Sequence, residues 1–518
     1  AEPLLKPPLA GQPPRVDLDQ SRPSCLLVLC FKERYTVRLT MTSIIPEPDA
    51  GADLSRRYQA DMALAQKYAS AGPRYTSYPT APQFRADFPL QQYYDWQKRD
   101  GDHKRAPLSL YVHLPFCNDI CYYCACNKVV TRKPGAARAY LDRLEKEIAR
   151  QAEVVGPRRP ITQMHWGGGT PTYLDHAEIT ELMHMLASHF RLVDKGYREY
   201  SIEIDPRTVE LSTIALLKGV GFNRISLGIQ DFDPRVQAAI NRVQPFEEVV
   251  PLVDSVRTHG FRSLSFDLIY GLPHQDHLTV RETLRKVVAL RPDRIACYNY
   301  AHLPERFPSQ RAIDRLALPE PGEKLLLQQI ISHSLQEAGY VHIGMDHYVL
   351  PDDELALAQR EGRLQRNFQG YSLHMADDLL GLGASSISQI GDFYLQNERD
   401  VDRYLALIDA GELPANRGCK ITSEDKLRRQ IIMSLISDLE LDIPECNHQF
   451  GIDFNNEFRR ELAALEPMIN DGLLEVSGEA VRVTASGRPF LRNICMPFDA
   501  YLDNHKGDTP QPRFSATV

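Results

Sequence analysis

Between residues 108 and 298, six short apolar or β-branched runs alternate with stretches of helical periodicity, and this alternation most narrows the folds open to the chain. The runs fall at 108–114, 161–166, 200–204, 224–229, 264–269 and 294–298. Strands alternating with helices build a parallel sheet through βα units. Between the first two runs, Tyr140, Leu141, Leu144 and Ile148 form one apolar stripe at helical spacing, which predicts a helix packed outside the sheet. Polar or glycine-rich residues close the C-terminal ends of the runs: Cys117, Gly167-Gly168-Gly169-Thr170, Glu203 with Asp205, Gln230, Asp267, and Asn299 with Ala301. In parallel α/β folds that rim is where ligands bind.

Directly after the first run, Cys117, Cys121 and Cys124 lie within eight residues, followed by Cys126. Three thiolates at this beat are one short of the four a metal centre normally takes, which leaves one iron free to bind something else. A structural zinc site is the alternative, although it closes with four Cys or His ligands, usually as two separated pairs, and no second pair follows here. Ten cysteines in 518 residues are too sparse for a disulfide framework. A formal net charge of -8 argues against nucleic acid as a partner. No apolar run, including 25–31, approaches the length needed to span a bilayer, so a membrane protein is not expected.

The glycine triplet lets backbone approach a ligand closely, or else makes a tight structural turn. Glu203 and Asp267 are carboxylates within apolar strands, where a charge needs a ligand, a cation or a salt bridge. Arg242 after the fourth run pairs with a carboxylate or lies in solvent. The stretch 73–80 mixes prolines and tyrosines as an arm. Beyond about Gly370 strand alternation fades. A helix at 422–439 capped by Ser423, a second at 457–470 and a hairpin at 473–484 predict a small helical, winged-helix-like domain. Residues 1–40, rich in proline, read as a disordered or non-native extension or, failing that, a transit peptide, with Met41 as a natural start. The expected parts are thus 1–40, an arm at 41–106, an α/β barrel piece at 107–370 and a helical domain at 371–518.

The CxxxCxxC spacing resembles the radical S-adenosylmethionine (radical SAM) superfamily. Many further motifs resemble the oxygen-independent coproporphyrinogen III oxidase family: GPRYTSYPTA from Gly72, YVHLPFC ending at Cys117, HWGGGTPTYL, IEIDPR, GFNRISLGIQDF, DLIYGLP, YNYAHLP, IGMDHY, RNFQGY and RNICM. The resemblance runs from about Tyr68 to the C-terminus. It implies a partial (β/α)6 radical SAM barrel and a [4Fe-4S] cluster held by Cys117, Cys121 and Cys124, with Cys126 not a ligand. Tyr111, Gly168, Glu203, Ala301 and Ile387 would surround a cluster-bound SAM, Tyr111 counting with the cysteines as catalytic. Tyr123, Gly169, Thr170, Gln230, Arg242 and Asp267 would surround a second SAM. The implied reaction turns two propionates of coproporphyrinogen III into vinyl groups, giving protoporphyrinogen IX in anaerobic haem biosynthesis. It needs an electron donor protein and a cytoplasmic, oxygen-poor setting, and a monomer is expected. A substrate with four carboxylates needs cations in the cavity, for which Arg74, Lys128 and Arg132 are candidates. The rival is a haem-binding chaperone relative without oxidase activity.

Overall fold

The computed structural model describes residues 59–99, 106–194, 198–373, 378–503 and 517. The expected 1–40 extension, the start at Met41 and the apolar run at 25–31 lie outside the described residues. All six predicted runs form strands: β1 (Leu108–Leu114), β2 (Pro160–Gly168), β3 (Glu199–Ile204), β4 (Arg224–Gln230), β5 (Ser263–Tyr270) and β6 (Arg294–Asn299). They lie side by side in chain order, each pair parallel.

Successive residues of a strand point to opposite faces, and here the two faces differ in chemistry. Ile202, Leu227 and Phe266 are fully buried on one side. On the other, His165, Ser201, Glu203, Ser226, Ser265 and Asp267 wall a cavity of about 170 Å³. At the N-terminal end of these strands the inward charges neutralise one another: Arg224 pairs with Glu199 at 2.9 Å and with Glu354, and Arg294 with Asp353 at 2.9 Å. The opposite end is therefore the one available to a ligand.

The predicted outer helix runs Arg138–Val155, with Tyr140, Leu141, Leu144 and Ile148 all buried. Two further strands follow, β7 (Val341–Gly344) and β8 (His347–Val349): β8 pairs antiparallel with β6, and β7 lies outside β8, antiparallel to it. Beyond β1 it continues through β9 (Asp378–Leu382), parallel to β1, and then antiparallel through β10 (Ile387–Ile390), β11 (Phe393–Asn397) and β12 (Ala415–Lys420). The expectation that strands fade after Gly370 is corrected: the sheet extends to Lys420, so a division at 370 cuts through it. These strands escape an apolar pattern because they bury polar residues, Ser388 and Gln389 among them. Ser388 Oγ accepts from the Gly381 amide at 2.9 Å.

Past β12, a helix at Ser423–Ser437 is capped by Thr422 rather than Ser423. The Thr422 hydroxyl accepts from the Asp425 amide at 3.1 Å, and Asp425 returns a bond to the Thr422 amide at 2.9 Å. The second predicted helix forms at Arg459–Asn470, preceded by a single turn at Phe454–Glu457. The hairpin forms from Leu474–Val476 and Ala480–Val483, with Glu440–Asp442 as a third strand. The arm is built into this domain's core: Tyr75 and Tyr78 cluster with Ile431, Leu435 and Phe498. Arg492 Nε donates to the Pro73 carbonyl at 3.0 Å. Burying such large side chains contributes about 1.5–3 kcal/mol each, which fixes the arm in place.

Candidate active site

The cysteine loop leaves β1 and is gripped from several sides. Asn241 Nδ2 donates to the Ile120 carbonyl at 2.7 Å, and the Tyr122 amide to the Ile240 carbonyl at 3.0 Å. Gln310 Nε2 reaches both the Tyr123 carbonyl, at 3.0 Å, and the Ala301 carbonyl, at 3.2 Å. Ser309 and Lys128 donate to the Cys124 carbonyl at 3.0 and 3.1 Å. Three thiols on one loop so held make a soft donor set whose backbone is oriented by hydrogen bonds from outside the loop.

Each residue of the glycine triplet is dictated by a neighbour. A Cβ on Gly167 would lie 2.8 Å from Glu203 Oε1. Gly168 has φ +114° and a Cβ there would lie 2.5 Å from the His113 ring, so both backbone and space require glycine. A Cβ on Gly169 would lie 2.7 Å from the Phe116 carbonyl oxygen. The Gly169 and Thr170 amides donate to the Leu114 and Phe116 carbonyls, each at 2.8 Å. Thr170 Oγ1 sits 3.6 Å from Cys117 Sγ. The close approach is thus between the triplet and the cysteine loop itself, with Glu203 and His113 alongside.

Charge around the thiols is arranged for thiolates. Arg207 Nη2 and Arg242 Nη1 each lie 3.5 Å from Cys121 Sγ, and both arginines pair with Asp205, at 2.7 and 2.9 Å. A hydrogen bond from Cys126 and the nearby Lys128 ammonium bring the Cys124 thiol down to about 6. Burial pushes Cys117 up to about 11. A cluster's irons would offset that burial cost by holding the sulfur deprotonated. The donor set therefore fits an iron–sulfur cluster.

Beside the loop lies a cavity of about 460 Å³ walled by Tyr111, Cys126, Gly168, Glu203, Phe368 and Ile387, among others. His113 Nε2 lies 3.0 Å from the Asn127 carbonyl, which can only accept, so this nitrogen carries the proton. Nδ1 then accepts from the Tyr111 hydroxyl at 3.1 Å. Tyr111 also stacks on His165, with ring centroids 6.0 Å apart. Burial pushes the Glu203 carboxyl up, but His165 at 3.1 Å and the Gly168 amide at 3.2 Å outweigh it and hold the group below the usual carboxylate range. Burial, then the Glu203 charge, pushes Asp267 up to about 6, and Ser226 donates to it at 2.9 Å.

Of the first expected SAM set, Tyr111, Gly168, Glu203 and Ile387 line this cavity, while Ala301 is tied to the cysteine loop through Gln310. The second set is not gathered around it. Gln230 ends β4 in a left-handed conformation, with φ +66°. Arg242 is engaged by Asp205 and by the Gly228 carbonyl, the latter at 2.7 Å. Asp267 walls the inner cavity. Of the cations expected to face a substrate, Arg74 does so but is paired to Asp346 at 2.5 Å. Lys128 is committed to the cysteine loop, and Arg132 is exposed and paired with Asp119. His113, His165, Arg207 and Gln310 were missed from sequence, although Arg207 sits in IEIDPR and Gln310 carries no local signal. A larger cavity of about 740 Å³ lies away from the thiols, against Arg363, Lys426, Arg429 and Met433.

The profile of the radical SAM superfamily matches residues 111–287, and that of the HemN C-terminal domain matches residues 421–490. The fold and the thiol loop are thus those of a radical SAM protein. The chain is 48% identical over 447 residues to the oxygen-independent coproporphyrinogen III oxidase of Pseudomonas aeruginosa, covering 86% of this chain and 96% of the relative. It is 47% identical over 443 residues to that of Escherichia coli, covering 85% and 95%. The solved structure of the Escherichia coli coproporphyrinogen III oxidase, a radical SAM enzyme, superposes with a TM-score of 0.79 at 46% identity, covering 83% of this chain and 97% of that one. The chain belongs to the oxygen-independent coproporphyrinogen III oxidase family.

Proposed function

We propose that this chain is an oxygen-independent coproporphyrinogen III oxidase that decarboxylates two propionates of the substrate to vinyl groups in haem biosynthesis. The carrying observation is the 460 Å³ cavity that joins Tyr111, Gly168 and Glu203 to the thiol loop at the open rim of the parallel strands. Cys117, Cys121 and Cys124 would hold a cluster that, when bound and reduced, would supply the electron for cleaving SAM and so for removing a hydrogen atom from the β-carbon of a propionate. The substrate then loses carbon dioxide and one further electron, which leaves the vinyl group and balances the step. That electron passes to an acceptor outside the chain, and a donor protein supplies the reducing one.

The chain's own residues bind, orient and shield. Glu203, kept ionised by His165 and the Gly168 amide, is an acceptor suited to an ammonium or hydroxyl of SAM. Tyr111, locked by His113, gives that ligand a fixed aromatic wall. Ile387 and Phe368 supply apolar surface that excludes water from the cavity. Ala301 completes the first SAM set. Tyr123, Gly169, Thr170, Gln230, Arg242 and Asp267 are assigned to a second SAM, which requires Arg242 to exchange its contact with Asp205 for the ligand. A monomer in a cytoplasmic, oxygen-poor setting, where the cluster thiols stay reduced, belongs to the same reading. Among the described residues no helix is long and apolar enough to cross a membrane.

The test is anaerobic incubation of reconstituted protein with coproporphyrinogen III, SAM and a reductant. Formation of protoporphyrinogen IX that disappears in Cys121→Ala is the expected outcome. Tight haem binding with no SAM cleavage would place the chain with the chaperone relatives instead.

A further inference from the structure

Arg366 is the cation in the cavity wall that lacks a counter-ion. It lies on the strand Gln365–Asn367, is 8% exposed and lines the 460 Å³ cavity. Its Nε and Nη1 are buried without a hydrogen-bond partner, and no carboxylate among the described residues forms an ion pair with it. The other arginine of this wall, Arg74, is neutralised by Asp346. Arg224 and Arg294, deeper in the sheet, are neutralised too. The Arg366 guanidinium stacks over Tyr371, 4.8 Å from the ring centroid, and Tyr371 is itself held by a hydrogen bond to the Ile436 carbonyl at 3.0 Å. The plane is thus fixed while Nε and Nη1 stay unpaired. His347 Nδ1, in the same wall, also has no partner.

A buried unpaired charge costs several kcal/mol, so a chain that pairs its other cavity arginines and leaves this one open has a site awaiting an anion. A guanidinium presents a planar fork that matches a carboxylate with two parallel hydrogen bonds. Resting on the oxidase reading above, we propose that Arg366 anchors a propionate carboxylate of the tetrapyrrole, with His347 beside it. It replaces Arg74, Lys128 and Arg132 as the principal carboxylate-binding cation and orients the macrocycle against the cavity.

The experiment compares wild type with R366Q and R366K in the full-length, reconstituted protein. The probes are coproporphyrin III, the stable oxidised tetracarboxylate, and its tetramethyl ester, with binding followed by fluorescence. R366Q should raise the Kd for the tetracarboxylate about 10- to 100-fold, equivalent to about 1.4–2.8 kcal/mol. Its affinity for the ester should match wild type. R366K, which keeps the charge but loses the fork, should fall between. The KM for coproporphyrinogen III should rise by a larger factor than kcat falls. The Tm of R366Q should equal or exceed wild type, because an unpaired buried charge is removed. Unchanged tetracarboxylate binding, equal weakening toward acid and ester, or a fall in Tm without selective loss would each overturn the assignment. A wild type that neither binds the tetracarboxylate nor converts the porphyrinogen would fail the oxidase reading itself, before any variant is compared.

Discussion

Glu203 and the glycine triplet show why single positions here tolerate so little change. Glu203→Gln keeps the shape but removes the charge that His165 and the Gly168 amide support. A charge-assisted hydrogen bond to a ligand is worth about 1.5–3 kcal/mol. SAM affinity, measured by equilibrium dialysis on reconstituted protein, should therefore fall roughly 10- to 100-fold. Equal affinity would remove Glu203 from the SAM site. Gly169→Ala drives a Cβ to 2.7 Å from the Phe116 carbonyl oxygen, and since backbone must give way, the cysteine loop moves. Such overpacking costs about 1–3 kcal/mol, and iron bound per chain should drop below wild type while the far-ultraviolet spectrum is kept. Both positions were visible in the sequence because local punctuation at strand ends marked them. Arg366 was not, since what distinguishes it is the lack of a partner, and partners are set by chain segments far away in sequence.

At the scale of elements, the six parallel strands were legible because each packs one apolar face, leaving an unbroken apolar or alternating run. The four strands from Asp378 to Lys420 were not: they are short, and three of them bury polar residues, Asp378, Ser388 with Gln389, and Asn397, whose partners are set only within the fold. The turn after β9 is held by the helix Arg138–Val155. Glu147 on that helix accepts from the Gly383 amide at 2.8 Å, Asn397 Nδ2 at 2.7 Å and the Tyr404 hydroxyl at 2.6 Å. Burial nevertheless pushes its carboxyl up to about 7, from 4.5 unfolded. The folded state then binds more protons than the unfolded between those values, so stability is fully present below about pH 4.5 and is lost as pH rises through about 7. Relative to Glu147→Gln, which cannot titrate, wild type should lose up to about 3 kcal/mol between the two limits. Thermal melts of both proteins across that range check this, and parallel curves would contradict it. Thr422→Ala, which deletes the cap of the helix Ser423–Ser437, should cost about 1 kcal/mol in denaturant titration without altering SAM cleavage.

For the whole molecule, the open rim of the sheet, the thiol loop and the cavity converge from segments spread over most of the chain. The arm at 72–80 brings Arg74 and Thr76 into the cavity wall while Tyr75 and Tyr78 anchor it in the C-terminal core. The C-terminal domain therefore positions part of the substrate site as well as packing against the sheet. The chain's formal net charge of -8 argues against a nucleic-acid role for it. Central to the proposed reaction is that hydrogen is taken from a propionate β-carbon in the cavity between Glu203 and the cysteine loop at Cys126. Coproporphyrinogen III deuterated at those carbons tests it directly. Anaerobic turnover should place deuterium in 5'-deoxyadenosine alongside a doubly decarboxylated product, whereas decarboxylation with unlabelled nucleoside, or nucleoside formed without decarboxylation, would contradict it.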